Sequence, residues 1–188
     1  MCTRVSAPDV RGVPHGRGVT GAGTRSQQNT HQRMLRYPDI AEAAHRRQAL
    51  AEARRVLRPG GRLLAMAVCR FASLLDGLYE GWLDDPGFRP IVDQDLADGQ
   101  HRNPDPVGKP ELFTTAYFHT PDGLAGEIGR AGFTGTTVYG VEGPGWPLRR
   151  EWSDPQRREQ ILFAARSVET QPSLIGFSDH LIAAATKP

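Results

Sequence analysis

Apolar residues recur at helical spacing through residues 39–57, where Ala49, Leu50, Ala53, Val56 and Leu57 make one stripe; an unbroken apolar run, Leu63 to Val68, follows almost at once. Intervals of three and four residues place side chains on one face of a helix, and a short continuous run between turn residues suits a strand covered on both faces. The stripe predicts a helix of about eighteen residues. Asp39 is its expected N-cap, with Glu42 three residues on in a variant of the capping box. Arg58 in the last turn suits the negative end of the helix dipole. Pro59 ends the helix, and Pro59-Gly60 fit the two central positions of a type II turn, where glycine supplies the positive φ.

Beyond the first strand, Phe71, Leu74, Leu75, Leu78 and Trp82 form a second amphipathic stripe. Residues 86–112 are polar and rich in Pro, Gly and Asp, with a weak helical patch from Ile91 to Leu96. A connection of that length is expected to be a lid or binding loop. Phe113 to Thr120 suits an extended segment, after which Thr120 caps a helix with Pro121 at its first position and Gly132 just past its end. Gly135 to Gly143 alternates as a strand does, and "GPGWPL" is a rigid loop. Ser153 with Gln156 forms a capping box for a further helix whose apolar face is Ile161, Leu162, Ala165 and Val168. Leu181 to Ala185 is a last buried strand. The predicted order is helix, strand, helix, lid, helix, strand, helix, strand, an α/β protein.

Composition divides the chain. Residues 1–37 contain no Lys, Glu, Ile, Phe or Trp and carry six Arg against one Asp. Such a segment buries too little apolar surface to offset its ordering entropy, and it is expected to be disordered or foreign to the fold, with the domain at 38–188. "GRGVTGAG" (Gly16 to Gly23) resembles a nucleotide loop only superficially, because neither a buried strand before it nor an amphipathic helix after it is present. Only Lys109 and Lys187 are lysines, a bias that lowers the weight of any Arg cluster as a phosphate-binding surface. An Arg-rich tail that anchors nucleic acid predicts steep salt dependence, but the tail lacks interleaved aromatics and nucleic acid is not the expected partner. Cys2 and Cys69 lie far apart with no metal-ligand spacing, no apolar run approaches bilayer length and no secretory signal is evident. The expected setting is a reducing cytoplasm.

Leu57-Arg58-Pro59-Gly60-Gly61 between helix and strand, with Ala131-Gly132-Phe133 closing a later helix, resembles the second half of a class I S-adenosylmethionine-dependent methyltransferase. The resemblance covers about residues 41–188 and implies a partial Rossmann-like sheet, with strands resembling the fifth, sixth and seventh, flanking helices and a lid insertion. The last of these strands would be antiparallel and inserted between the other two. The family's cofactor, S-adenosylmethionine, is held largely by a Gly-rich loop and an acidic residue in the first half, as in dinucleotide folds, and neither element is recognisable here. The resemblance therefore implies methyl transfer to a small molecule by a chain truncated at its amino end, whose activity alone is open. The first strand would then lose its neighbour and expose a bare edge, so self-association through that edge is the alternative.

The family's acceptor pocket maps onto Asp98 to Pro104, Phe113 to His119 and Val141 to Pro147. His101 is the candidate general base, able to take a proton near neutral pH, against the alternative of a solvated loop histidine. Asn103 either hydrogen-bonds an acceptor or serves as a turn residue before Pro104. Tyr117 and His119, alternating with Phe118, either line a pocket or face water. Trp146, between prolines, either stacks on a planar substrate or caps the core edge. Glu142 reads as a loop solubiliser and His180 as structural; histidines so dispersed carry no metal signature. Methyl transfer from a sulfonium relies on alignment more than acid-base help, so the acceptor is not legible from these residues.

Overall fold

The structure is a computed structural model that describes the backbone of residues 32–36 and residues 40–112 and 115–188. Asp39, the expected N-cap, the "GRGVTGAG" loop, Phe113 and Thr114 lie outside the described residues. The elements in chain order are β1 (Gln32–Arg36), α1 (Ala43–Val56), β2 (Arg62–Cys69), α2 (Ala72–Glu80), α3 (Arg89–Asp98), β3 (Gln100–Arg102), β4 (Thr115–His119), α4 (Pro121–Arg130), β5 (Thr134–Gly140), α5 (Pro155–Val168) and β6 (His180–Thr186).

The turn between α1 and β2 forms as its chemistry dictates. The Gly61 N–H donates to the Arg58 carbonyl at 2.9 Å and Gly60 has φ 74°. A Cβ on Gly61 would meet that carbonyl at 2.8 Å, so the second glycine is required by the close approach. The carboxyl end of the chain ties back here: Gly60 N–H donates to the Lys187 carbonyl, and Lys187 N–H to the Gly61 carbonyl.

The sheet is mixed, in the order β3-β4-β2-β6-β5, with β1 also on β2. β6 lies antiparallel between β2 and β5, the inserted reversed strand that the resemblance implies. The edge of β2 is not bare. β1 runs parallel along Arg62 to Met66 and β4 parallel at Val68 and Cys69, so both share the edge opposite β6. The sheet thus takes in Gln32–Arg36, ahead of the boundary that composition places at 37, because backbone pairing needs no apolar composition.

Leu63, Ala65, Ala67 and Cys69 of β2 and Leu181, Ala183 and Ala185 of β6 join Leu50, Ala53 and Leu57 of α1 and Leu124 and Ile128 of α4 in one core. The opposite face of β2, Leu64 and Met66, is only half-buried, so the strand is covered fully on one face rather than two. Of the apolar stripe on α2, Leu75 is buried and Leu74 and Trp82 pack against Phe88, Ile91 and Val92, while Phe71 and Leu78 are exposed and the small residues Ala72, Ser73 and Gly77 are buried instead. The small face wins because Gly77 lets Phe88 and Leu83 approach to where a side chain would stand. The insertion is itself folded, with Phe88, Ile91, Val92 and Leu112 as a satellite core and β3 paired antiparallel to β4. The N-cap of α5 is Asp154, not Ser153; its Oδ1 accepts from the backbone of Gln156 and Arg157.

Candidate functional site at the carboxyl edge of the sheet

Open α/β sheets bind ligands beyond the carboxyl ends of their parallel strands, where chain reversals leave polar groups unpaired by the ladder. Here β2 and β4 end in register at Cys69 and His119. β5 ends at Gly140 opposite Leu181, and the antiparallel β6 begins on the same edge at His180, opposite Val68. The approach is tight, since a Cβ on Gly140 would meet Ser178 Oγ at 2.6 Å and the Ile175 carbonyl at 3.0 Å. Ser178 in turn accepts from the Gly143 N–H at 2.7 Å, fixing the turn that follows β5 against the entry to β6.

That junction gathers charge. Glu142 accepts from the His180 backbone N–H at 3.0 Å and pairs with His180 Nδ1 at 2.6 Å. The Glu142 carboxylate raises the His180 pKa above its ordinary value, against the effect of burial. Trp146 donates its indole N–H to Asp76 Oδ1 at 2.7 Å, and its ring lies edge-on to His180 and beneath Arg149, whose guanidinium carbon is 4.5 Å from the ring centre. Arg149 and Arg150 both pair with Glu80, at 2.5 and 2.9 Å. Asp179 stands among them at 3% exposure, and its Oδ1 has no hydrogen-bond partner among the described residues. Burial, then the neighbouring carboxylates of Asp76 and Glu142, push its pKa up to about 8. Beneath it Cys69 is buried, its thiol pushed up to about 11 chiefly by desolvation.

A second polar cluster lies where β4 meets α1 and α4. Arg46, 2% exposed, pairs with Glu127 through Nε at 3.1 Å and Nη2 at 3.0 Å and lies 3.7 Å over the Tyr117 ring. Tyr117 packs edge-on against His119, whose Nε2 is 3.4 Å from Glu127. Burial holds the His119 pKa below its ordinary value; it also opposes ionisation of Glu127, but the hydrogen bonds from His119 and Arg46 prevail and hold that carboxyl at about 2.

The candidates from sequence thus fall in three places. Tyr117 and His119 come together, in the second cluster. Trp146 belongs to the carboxyl edge with Glu142 and His180. His101 and Asn103 sit in the insertion, away from both. His101 is 2% exposed and stacked on Phe118, with Nδ1 2.8 Å from Asp95 Oδ2 and Nε2 2.8 Å from the Leu112 carbonyl. A carbonyl only accepts, so Nε2 carries a proton, and both nitrogens are committed within the protein. Asn103 accepts from Asp105 N–H and donates to the Lys109 carbonyl, closing a turn. The alternate residues Asp98, Gln100, Arg102 and Pro104 instead help line a cleft of 490 Å³.

Asp179, Asp76 and Arg149 were not singled out by sequence; the polar triplet Ser178-Asp179-His180 directly ahead of an apolar strand is the signal that marks the first of them. Among the described residues no three His, Cys, Asp or Glu side chains converge to hold a metal ion, and no helix is long and apolar enough to cross a membrane.

No family model matches the chain and no curated protein matches it. Solved structures similar to it include a SAM-dependent methyltransferase from Thermotoga maritima, described as a possible histamine N-methyltransferase, at 18% identity and TM-score 0.43 over 84% of this chain and 56% of that one. An S-adenosylmethionine-dependent methyltransferase from Mesorhizobium loti is similar at 12% identity and TM-score 0.47, over 84% and 61%. Phosphoethanolamine N-methyltransferase 2 of Haemonchus contortus, in complex with S-adenosyl-L-methionine, is similar at 14% identity and TM-score 0.39, over 84% and 33%. The chain therefore spans less than two thirds of the length of each.

Proposed function

We propose that the chain supplies the acceptor side of an S-adenosylmethionine-dependent methyltransferase acting on a small molecule. The observation that carries this reading is the reversed β6 between β2 and β5, with β2 entered through Leu57-Arg58-Pro59-Gly60-Gly61. Two local signals, Leu57-Arg58-Pro59-Gly60-Gly61 and Ala131-Gly132-Phe133, and one non-local strand arrangement, each expected of that family, agree.

The described residues do not by themselves fit the donor. A sulfonium nucleoside needs a close backbone approach after a parallel strand and a carboxylate for its ribose. β2 is followed by Arg70, whose guanidinium is spent on the carbonyls of Phe118 and Asp98, and residues 37–39 beyond β1 lie outside the description. What the chain's own residues do is hold an acceptor at the carboxyl edge: Trp146 and His180 form its wall, Asp76, Glu142 and Asp179 its polar floor. His101 and Asn103 brace the insertion against β4, a positioning role in place of proton abstraction, and Tyr117 and His119 secure the end of β4.

The test is transfer of a radiolabelled methyl group from S-adenosylmethionine by the purified chain to a panel of amines, phenols, carboxylic acids and thiols. Labelled product that disappears in Trp146→Ala supports the proposal. A folded chain in which no acceptor class binds at Trp146 and none yields product overturns it.

A further inference from the structure

The carboxyl-edge cluster contains four carboxylates, Asp76, Glu80, Glu142 and Asp179, and three cationic groups, Arg149, Arg150 and His180. Each cation is spoken for. Both arginines pair with Glu80, Arg149 also stands 3.8 Å from Asp76, and His180 pairs with Glu142. Asp76 is further satisfied by the Trp146 indole. Asp179 is left over, 97% buried, with an oxygen that no donor among the described residues reaches. An isolated buried carboxylate is among the most costly groups a fold can retain, and protein interiors pair such groups or lose them. The cluster reaches the surface beside Asp179: the side chains of Asp76, Arg149 and His180 are 34%, 29% and 36% exposed. A metal ion is not that partner, because the described side chains do not converge on one.

We infer that Asp179 is the anchor for a cationic amine, and that the acceptor of the proposed methyltransferase binds here as an ammonium ion. The inference rests on that functional reading for the acceptor role, but not for the binding. An ammonium supplies the missing charge and N–H donors for the unpartnered oxygen, while Trp146 offers an aromatic wall to the organic part of the molecule. The same contact can prepare the nucleophile. Transfer of one proton from the bound ammonium to the Asp179 carboxylate breaks an N–H bond, forms an O–H bond, and leaves a neutral amine with its lone pair beside a neutral acid. Burial and the nearby Asp76 and Glu142 carboxylates push the Asp179 pKa up to about 8, so above that pH, where Asp179 is ionised in the free chain, it is basic enough to take the proton from the bound ammonium.

The experiment compares benzylamine with benzyl alcohol, its neutral counterpart, on the full chain at pH 8.5. Binding is followed by the NMR signal of the Trp146 indole N–H, assigned with Trp146→Phe. Benzylamine is expected to shift that signal saturably, benzyl alcohol to bind about tenfold or more weakly, and Asp179→Asn to remove most of the difference. Equal binding of amine and alcohol by the wild-type chain overturns the inference without any variant, as does an Asp179→Asn chain that binds benzylamine unchanged. Methyl transfer confined to hydroxyl acceptors would leave the methyltransferase proposal standing and overturn the amine. Amine binding with no methyl transfer to any acceptor would uphold the ammonium site and overturn its role as acceptor.

Discussion

Asp179 carries a cost that its own replacement should reveal. Its folded pKa, about 8, lies above the ordinary value of 3.8, so the folded state holds the proton more tightly and stability falls as pH rises between these values. The charged groups that set this field are Asp76 on α2, Glu142 and Arg149 in the turn after β5 and His180 on β6, while Tyr79 on α2 and Cys69 on β2 are themselves raised by Asp179. Asp179→Asn should therefore be more stable than the parent by about 1–3 kcal/mol at pH 8.5 and by little at pH 4, seen as a difference in Tm by calorimetry. Cys69 gives a second residue-scale expectation. Its thiol, raised to about 11 by burial, should react with a disulfide reagent at pH 8 roughly a hundredfold more slowly in the native chain than in urea, with peptide mapping to separate it from Cys2.

At the scale of elements, α1, β4 and α4 are joined by the Arg46, Glu127, His119 and Tyr117 cluster as well as by the core. Removing one partner strands the Arg46 charge, so Glu127→Gln should cost about 2–4 kcal/mol in urea unfolding. The sign with pH is fixed by both groups. Glu127 falls from 4.5 to about 2 on folding, so its contribution is complete above pH 4.5 and lost as pH drops through about 2. His119, held below 6.5 by burial, must be folded neutral and likewise weakens the fold as pH falls below that value. Glu127→Gln should flatten the acid limb of the stability profile between about pH 4.5 and 2. The helix caps at Thr120 and the turn at Pro59-Gly60 were legible in sequence because a cap or turn is satisfied by its immediate neighbours. The exposure of Phe71 and Leu78 on α2 was not, since the buried face is chosen by Leu83 in the following turn and Phe88 from the insertion.

For the whole molecule, β6 and β1 decide the outcome. β6 pairs with β2 from Arg62 to Val68 and with β5 from Thr134 to Gly140, so it lies inside the sheet although last in sequence. β1 occupies the stretch of the β2 edge below β4. A chain beginning at residue 40 should expose five residues of that edge and associate in a concentration-dependent manner in sedimentation velocity, where the full chain does so less at the same concentration. The self-association expected of a bare β2 edge thus becomes a property of the shortened chain rather than the intact one.

By itself the sequence determined the α/β class, the helix-turn-strand unit at 43–69, the Thr120 cap and the Pro59-Gly60 turn, because these follow from periodicity and from contacts a few residues apart. Only tertiary structure decided that Asp179 Oδ1 would have no hydrogen-bond partner among the described residues, beside Asp76, Glu142 and Arg149, and that His101 would be locked between Asp95 and Leu112. The physical reason is that burial and charge at a site are sums over neighbours brought by different strands, and alternation along one strand does not say which strand will lie beside it.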